Sequence, residues 1–164
     1  MAGAPSPGLW TGSPGPWTGA DLLIGFLSGV VAVAVFHQLA SLLFGMVGLG
    51  EGAVYSFRPT PPFGVPRIMS QMFWGGVWGI VFAALFDRLP ARWPAAAVGL
   101  AFGIVGPVLF GWTVVATLRG APLFGGLVPT RMLASVLING AFGIGLALIF
   151  TGLRRRVQRR ARTA

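Results

Sequence analysis

The chain has no cysteine and no lysine, one histidine, one tyrosine and three acidic residues among its 164. Without cysteine, disulfides, thiolate metal sites and cysteine nucleophiles are excluded. The acids are Asp21, Glu51 and Asp87. The hydropathy pattern puts Asp21 and Asp87 at helix ends on one side and Glu51 in a loop on the other. No two acids are therefore expected to meet, and the paired carboxylates of general acid–base or glycoside chemistry are missing. A Ser/His/Asp constellation would need an acid beside His37, and that topology offers none. The many glycines lie inside apolar runs without the lysine of a phosphate-binding loop. Hydrolysis and phosphoryl transfer are not expected, and the chain is not read as an enzyme.

Charge is scarce as well. Only 9% of residues are charged and 55% are hydrophobic, with a mean hydropathy of +0.80, whereas a soluble domain is about a quarter charged. Four long apolar runs account for this: Leu22 to Val47, Ile68 to Phe86, Pro94 to Leu118 and Arg131 to Leu153. A hydrocarbon core of about 30 Å takes about 20 helical residues. Backbone groups in lipid must be satisfied within their own segment, so the runs are helices. The expected fold is all-α integral membrane, with four transmembrane helices over residues 21–153. Asp21 suits an N-cap or a first turn, Pro94 suits a first turn, and Pro107 among Gly103, Gly106 and Gly111 predicts a bend.

Residues 1–20 read as a flexible arm. They contain SPGLWTG at Ser6 to Gly12 and SPGPWTG at Ser13 to Gly19, too much proline and glycine for a regular helix. With no basic stretch ahead of an apolar run, the arm is not read as a cleaved signal peptide. Trp10 and Trp17 suit the headgroup level, or the arm is untethered. Residues 154–164 are an arginine-rich tail carrying Arg154, Arg155, Arg156, Arg159, Arg160 and Arg162. Basic residues are retained on the cytoplasmic side. Both termini are therefore expected inside, and the loops from Arg58 to Arg67 and from Arg119 to Arg131 outside. The tail sets topology or also binds anionic lipid; held at the membrane, it is a poor nucleic-acid binder.

The second and fourth runs align at a shift of 64: Arg67 with Arg131, Gly76 with Gly140, Trp78 with Phe142, Gly79 with Gly143 and Ile80 with Ile144. PPFG at Pro61 to Gly64 echoes PLFG at Pro122 to Gly125. The first and third runs align less well at 74, through Gly25 with Gly99, Gly29 with Gly103 and Phe36 with Phe110. Two tandem, parallel helical hairpins are expected, related by an axis along the membrane normal. The pairs Gly25/Gly29, Gly75/Gly79 and Gly99/Gly103 each lie four apart, on one helix face, where another backbone can come close.

The polar groups left over are few. His37, Gln38, Gln71 and Asn139 fall at similar depth and are expected to form a polar pocket near the outer side. An ionisable residue inside a membrane ordinarily faces the bundle interior. His37 has three readings: interhelical hydrogen bonding, a small-molecule or ion site, or a single axial haem ligand. No other cofactor is expected. Arg67 and Arg131 follow proline-containing turns and either anchor helix starts at the interface or bind an anionic group from outside.

TPPFGVP at Thr60 to Pro66, Ser70, FWGGVWGI at Phe73 to Ile80, and the Phe36 to Gln38 step before them carry a resemblance. Over Leu22 to Leu89 the chain resembles a group of short bacterial inner-membrane proteins with four predicted spans and no assigned activity. The resemblance implies architecture and carries no catalytic residue across. With many packing residues and little chemistry, the chain reads as an accessory or scaffold subunit of a larger membrane assembly. Its partners would be lipids and either other membrane subunits or copies of itself. A small oligomeric channel or transporter is the alternative, and a haem-binding redox subunit the third reading.

Overall fold

The computed structural model describes residues 17–49, 53–61, 63–89 and 92–163. Four helices long and apolar enough to cross a membrane dominate it: Gly19–Met46, Arg67–Arg88, Ala95–Leu118 and Pro129–Ala161. The chain is thus an all-α protein of the multi-pass membrane type, with one departure. Pro59–Thr60 and Val65–Pro66 pair as two-residue antiparallel strands, with Gly64 at positive φ in the turn between them.

Several expected boundaries move. The first helix starts at Gly19, inside the predicted arm, because Thr18 caps it. The Thr18 hydroxyl accepts from the Asp21 amide at 3.2 Å, and the Asp21 carboxylate accepts from the Thr18 amide at 3.0 Å. This reciprocal capping box satisfies two helix-end donors. Trp17 and Thr18 are exposed, while residues 1–16, with Trp10, and the loop acid Glu51 lie outside the described residues. Pro94 precedes the third helix rather than opening it. The fourth helix runs unbroken from Pro129 to Thr163, so the arginine tail is not a separate segment; it is the helix itself, continued.

Charge brackets the apolar lengths. At about 1.5 Å per residue the rise from Arg67 to Arg88 is about 32 Å, and from Arg131 to Arg154 about 35 Å. Both match a hydrocarbon core of about 30 Å with guanidinium groups reaching to its borders.

Glycine contacts join the helices in pairs. An added methyl at Gly25 would fall on the Gly79 carbonyl and lie 2.7 Å from the Ala83 Cβ; one at Gly29 would fall on the Gly75 carbonyl. In the second pair, a methyl at Gly99 would fall on the Gly143 carbonyl and 2.7 Å from the Ala147 Cβ, and one at Gly103 on the Asn139 carbonyl. Gly76 packs on the Phe26 ring and Gly140 on Leu100. Backbones this close gain dispersion contacts that larger residues would prevent, and dispersion is a leading source of helix association in lipid.

Between the pairs the centre is filled by aromatic rings. Phe82, Leu146 and Phe150 are fully buried. Phe82 stands edge-on to Phe102 at 5.0 Å and to Phe150 at 5.6 Å, and Phe86 meets Phe150 at 5.0 Å. Trp78 reaches Phe102 at 5.9 Å and Phe110 at 5.6 Å. Pro107 lacks the N–H that an α-helix needs. The third helix passes it by widening into π turns at Ile104–Val108 and again at Gly111–Val115.

Candidate functional site

Two polar clusters stand out from this apolar framework, one at each end. The first begins with a defect in the first helix, a π turn over Val33–His37. There the Gln38 amide bonds to the carbonyls of Val33 and Val35. The intervening Ala34 carbonyl is passed over, and in lipid an unpaired carbonyl is costly. The Tyr55 hydroxyl donates to it at 2.6 Å. Tyr55 is held by its own backbone, in the left-handed region at φ 47°, with its amide donating to Gln38 Oε1 at 2.9 Å. Gln38 is 3% exposed. Its Nε2 donates to Gln71 Oε1 at 3.2 Å and lies 3.5 Å from His37 Nδ1. One glutamine thus ties the first helix, the second helix and the loop between them.

This arrangement orients the Gln38 amide. The Tyr55 amide can only donate, so it selects the Gln38 oxygen and turns the NH₂ toward Gln71 and His37. His37 Nδ1 lies at the edge of this network, 3.5 Å from the Gln38 amide nitrogen. Among the described residues no three of His, Asp and Glu gather as a metal site.

Of the four residues predicted to share a pocket, His37, Gln38 and Gln71 come together. Asn139 hydrogen-bonds elsewhere: its Nδ2 donates to the Ser135 carbonyl of its own helix at 2.9 Å, and its backbone carbonyl is the seat of Gly103. The Arg67 amide donates to the Arg58 carbonyl at 3.0 Å, closing the small hairpin at the start of the second helix. Arg131 is exposed in the first turns of the fourth helix. The second loop has different chemistry. Trp112 packs edge-on to Phe124 at 6.0 Å, and its buried Nε1 has no partner among the described residues. Thr113 and Thr117 bond back to the carbonyls of Leu109 and Thr113.

The second cluster brings two of the three acids to one arginine. Arg154 joins Asp21, at the start of the first helix, to Asp87, at the end of the second. Its Nη1 and Nη2 donate to Asp87 Oδ1 and Oδ2 at 2.7 and 2.8 Å, a bidentate fork. Its Nε lies 2.9 Å from Asp21 Oδ1, within ion-pairing range but without directed hydrogen-bond geometry. The guanidinium also covers Phe86 at 5.5 Å and Phe150 at 5.9 Å, a cation–π arrangement that favours arginine over lysine. Both carboxylates are consumed by this contact and neither is placed to move a proton. Sequence reasoning missed Tyr55 and the role of Arg154. The available signal for the latter was an arginine directly after the last apolar run, in a chain with two acids at that end.

A cleft of about 340 Å³ lies between the first and fourth helices, lined by apolar residues including Phe36, Leu39, Leu43, Leu137 and Ile144. It offers no polar group to orient a substrate. No protein-family model, curated protein or solved structure matches the chain.

The first cluster yields a prediction. Gln38→Leu strips acceptors and donors from Tyr55, Gln71 and His37 together and should destabilise the protein by about 2 kcal/mol, whereas Tyr55→Phe, at a half-exposed side chain, should cost about 1 kcal/mol. Amide exchange should rise over Val33–His37 in both variants. Protection unchanged from the parent in Gln38→Leu would show that the network does not hold the π turn.

Proposed function

We propose that this is a small protein of the bacterial inner membrane that works by association, as an accessory or scaffold subunit of a larger membrane assembly. The observation that carries this reading is the filled centre. Phe82, Phe86, Leu146 and Phe150 occupy the axis. The buried polar residues among those described are Ser28, Gln38 and Thr151, and Ser28 and Thr151 bond to carbonyls of their own helices. Among the described residues a single copy therefore presents no continuous polar path. What it does present is an apolar exterior: on the first helix Leu23, Leu27, Val31, Val35, Leu39 and Leu43 form an exposed stripe at four-residue spacing. In mild detergent the protein should elute with partner subunits or as an oligomer, and photo-crosslinkers at Leu27 and Leu39 should capture them. A lone monomer with no crosslinked species would overturn the reading. A channel would have to place its path between copies; the filled axis favours the scaffold.

We further infer a doubled hairpin with both termini in the cytoplasm. The glycine contacts support it. Gly25 meets Gly79 and Ala83 as Gly99 meets Gly143 and Ala147, and Phe26 meets Gly76 as Leu100 meets Gly140. Every one of these correspondences keeps the shift of 74 for the first member and 64 for the second. The natural absence of cysteine makes orientation directly testable. Phe63→Cys should react with a membrane-impermeant thiol reagent in intact cells, and Thr163→Cys only after permeabilisation. Equal reactivity of both from outside would refute the assignment.

A further inference from the structure

We propose that the extension of the fourth helix beyond Arg154 is a binding surface for anionic phospholipid headgroups of the leaflet it emerges from. Its depth is the first argument. Arg154 marks the border of the hydrocarbon, level with the capped start of the first helix and the end of the second. Arg155 to Arg160 then rise about 1.5 to 9 Å beyond it. The headgroup layer occupies about 6 Å on each side, the difference between a core of about 30 Å and a bilayer of about 40–45 Å. The arginines therefore lie at the height of the lipid phosphates, on a helix continuous to Thr163.

Direction is the second argument. Arg154 turns toward the first and second helices, where Asp21 and Asp87 hold it. At 100° per residue, Arg155, Arg159, Arg156 and Arg160 lie about 100°, 140°, 200° and 240° around the axis from Arg154. That arc is the side of the helix facing away from the bundle, and all four residues are exposed. The surface points outward into the surrounding lipid headgroups, not across the end of the bundle where a capping protein would sit.

Charge is the third. The two described acids at this end, Asp21 and Asp87, are both engaged by Arg154, while Arg88, whose Nη1 caps the second helix through the Ala84 carbonyl at 2.9 Å, and Arg92 add to the positive side of the balance. Guanidinium groups match phosphate oxygens in a bidentate fashion, and basic residues beside an anionic leaflet are drawn to it.

The test uses the full chain in an uncharged detergent, titrated with phosphatidylglycerol or phosphatidylcholine and read by native mass spectrometry. The parent should retain the anionic lipid at least tenfold better, and retention should fall as ionic strength rises. The quadruple variant R155Q/R156Q/R159Q/R160Q should lose the preference. R159Q/R160Q should lose part of it, which covers the case in which the quadruple variant does not fold. Undiminished selectivity in both variants, or none in the parent, would overturn the proposal. So would displacement of the lipid by millimolar glycerol phosphate, which would mark a site for soluble phosphate, or by a short polyglutamate at lower concentration than the lipid, which would mark a site for an acidic protein.

Discussion

Gly79→Ala is expected to pull the first and second helices apart. The new methyl would land on the Gly25 carbonyl oxygen, with the Gly25 carbonyl carbon at 2.8 Å and the Gly29 amide nitrogen at 3.2 Å. These are backbone atoms inside a helix and cannot swing aside as a side chain would. The helices must separate along the whole seam, which also parts Gly29 from Gly75 and Phe26 from Gly76. In lipid there is little hydrophobic drive to compensate, because acyl chains are as apolar as the faces they would cover. A loss of about 3 kcal/mol is expected, the upper end for overpacking, measured by unfolding in mixed micelles. Gly143→Ala should cost the same within about 1 kcal/mol, because it meets Gly99 in the same way. Gly152→Ala and Gly111→Ala are the controls. Nothing lies within 4 Å of either added methyl, and alanine is favoured over glycine in a helix by up to about 1 kcal/mol. If Gly79→Ala were as stable as Gly152→Ala, the seam would not be what holds the pair.

That seam was legible in the sequence because its signal is local: two glycines four apart share a helix face whatever the rest of the chain does. The four spans were legible for a similar reason, since bilayer thickness is an external ruler. What escaped were features set by partners distant in sequence. The π turn at Val33–His37 has no composition of its own, and its Ala34 carbonyl takes the hydroxyl of Tyr55, a residue beyond the end of that helix. Asn139 was expected to join His37, Gln38 and Gln71 because all four fall at similar depth, yet a fourth-helix amide one turn from Ser135 has a carbonyl closer at hand. The helix ends moved because Thr18 and Asp21 act as a box, and because arginines, good helix formers, carry the fourth helix on to Thr163.

Arg154 was hidden in plain composition, first of a run of like residues, and its removal is the other change with a large expected effect. Arg154→Gln would leave two carboxylates, 13% and 25% exposed, beside apolar rings with no counter-charge. Breaking a fully buried pair costs about 3–5 kcal/mol; with this residual exposure about 2–3 kcal/mol is expected. The two acids should not suffer equally. Asp21 lies in the first turn of a helix, where the macrodipole and the Thr18 amide stabilise its charge. Asp87 lies at the end of a helix, where the dipole opposes it. Arg154→Gln/Asp87→Asn should therefore recover most of the lost stability, and Arg154→Gln/Asp21→Asn clearly less, in a cycle read by unfolding in mixed micelles. Arg154→Lys should fall in between, since an ammonium keeps the charge but cannot fork to Asp87 while reaching Asp21 and covering Phe86 and Phe150. Equal recovery by the two asparagine variants would mean that the helix ends play no part and that the clamp is a matter of net charge alone.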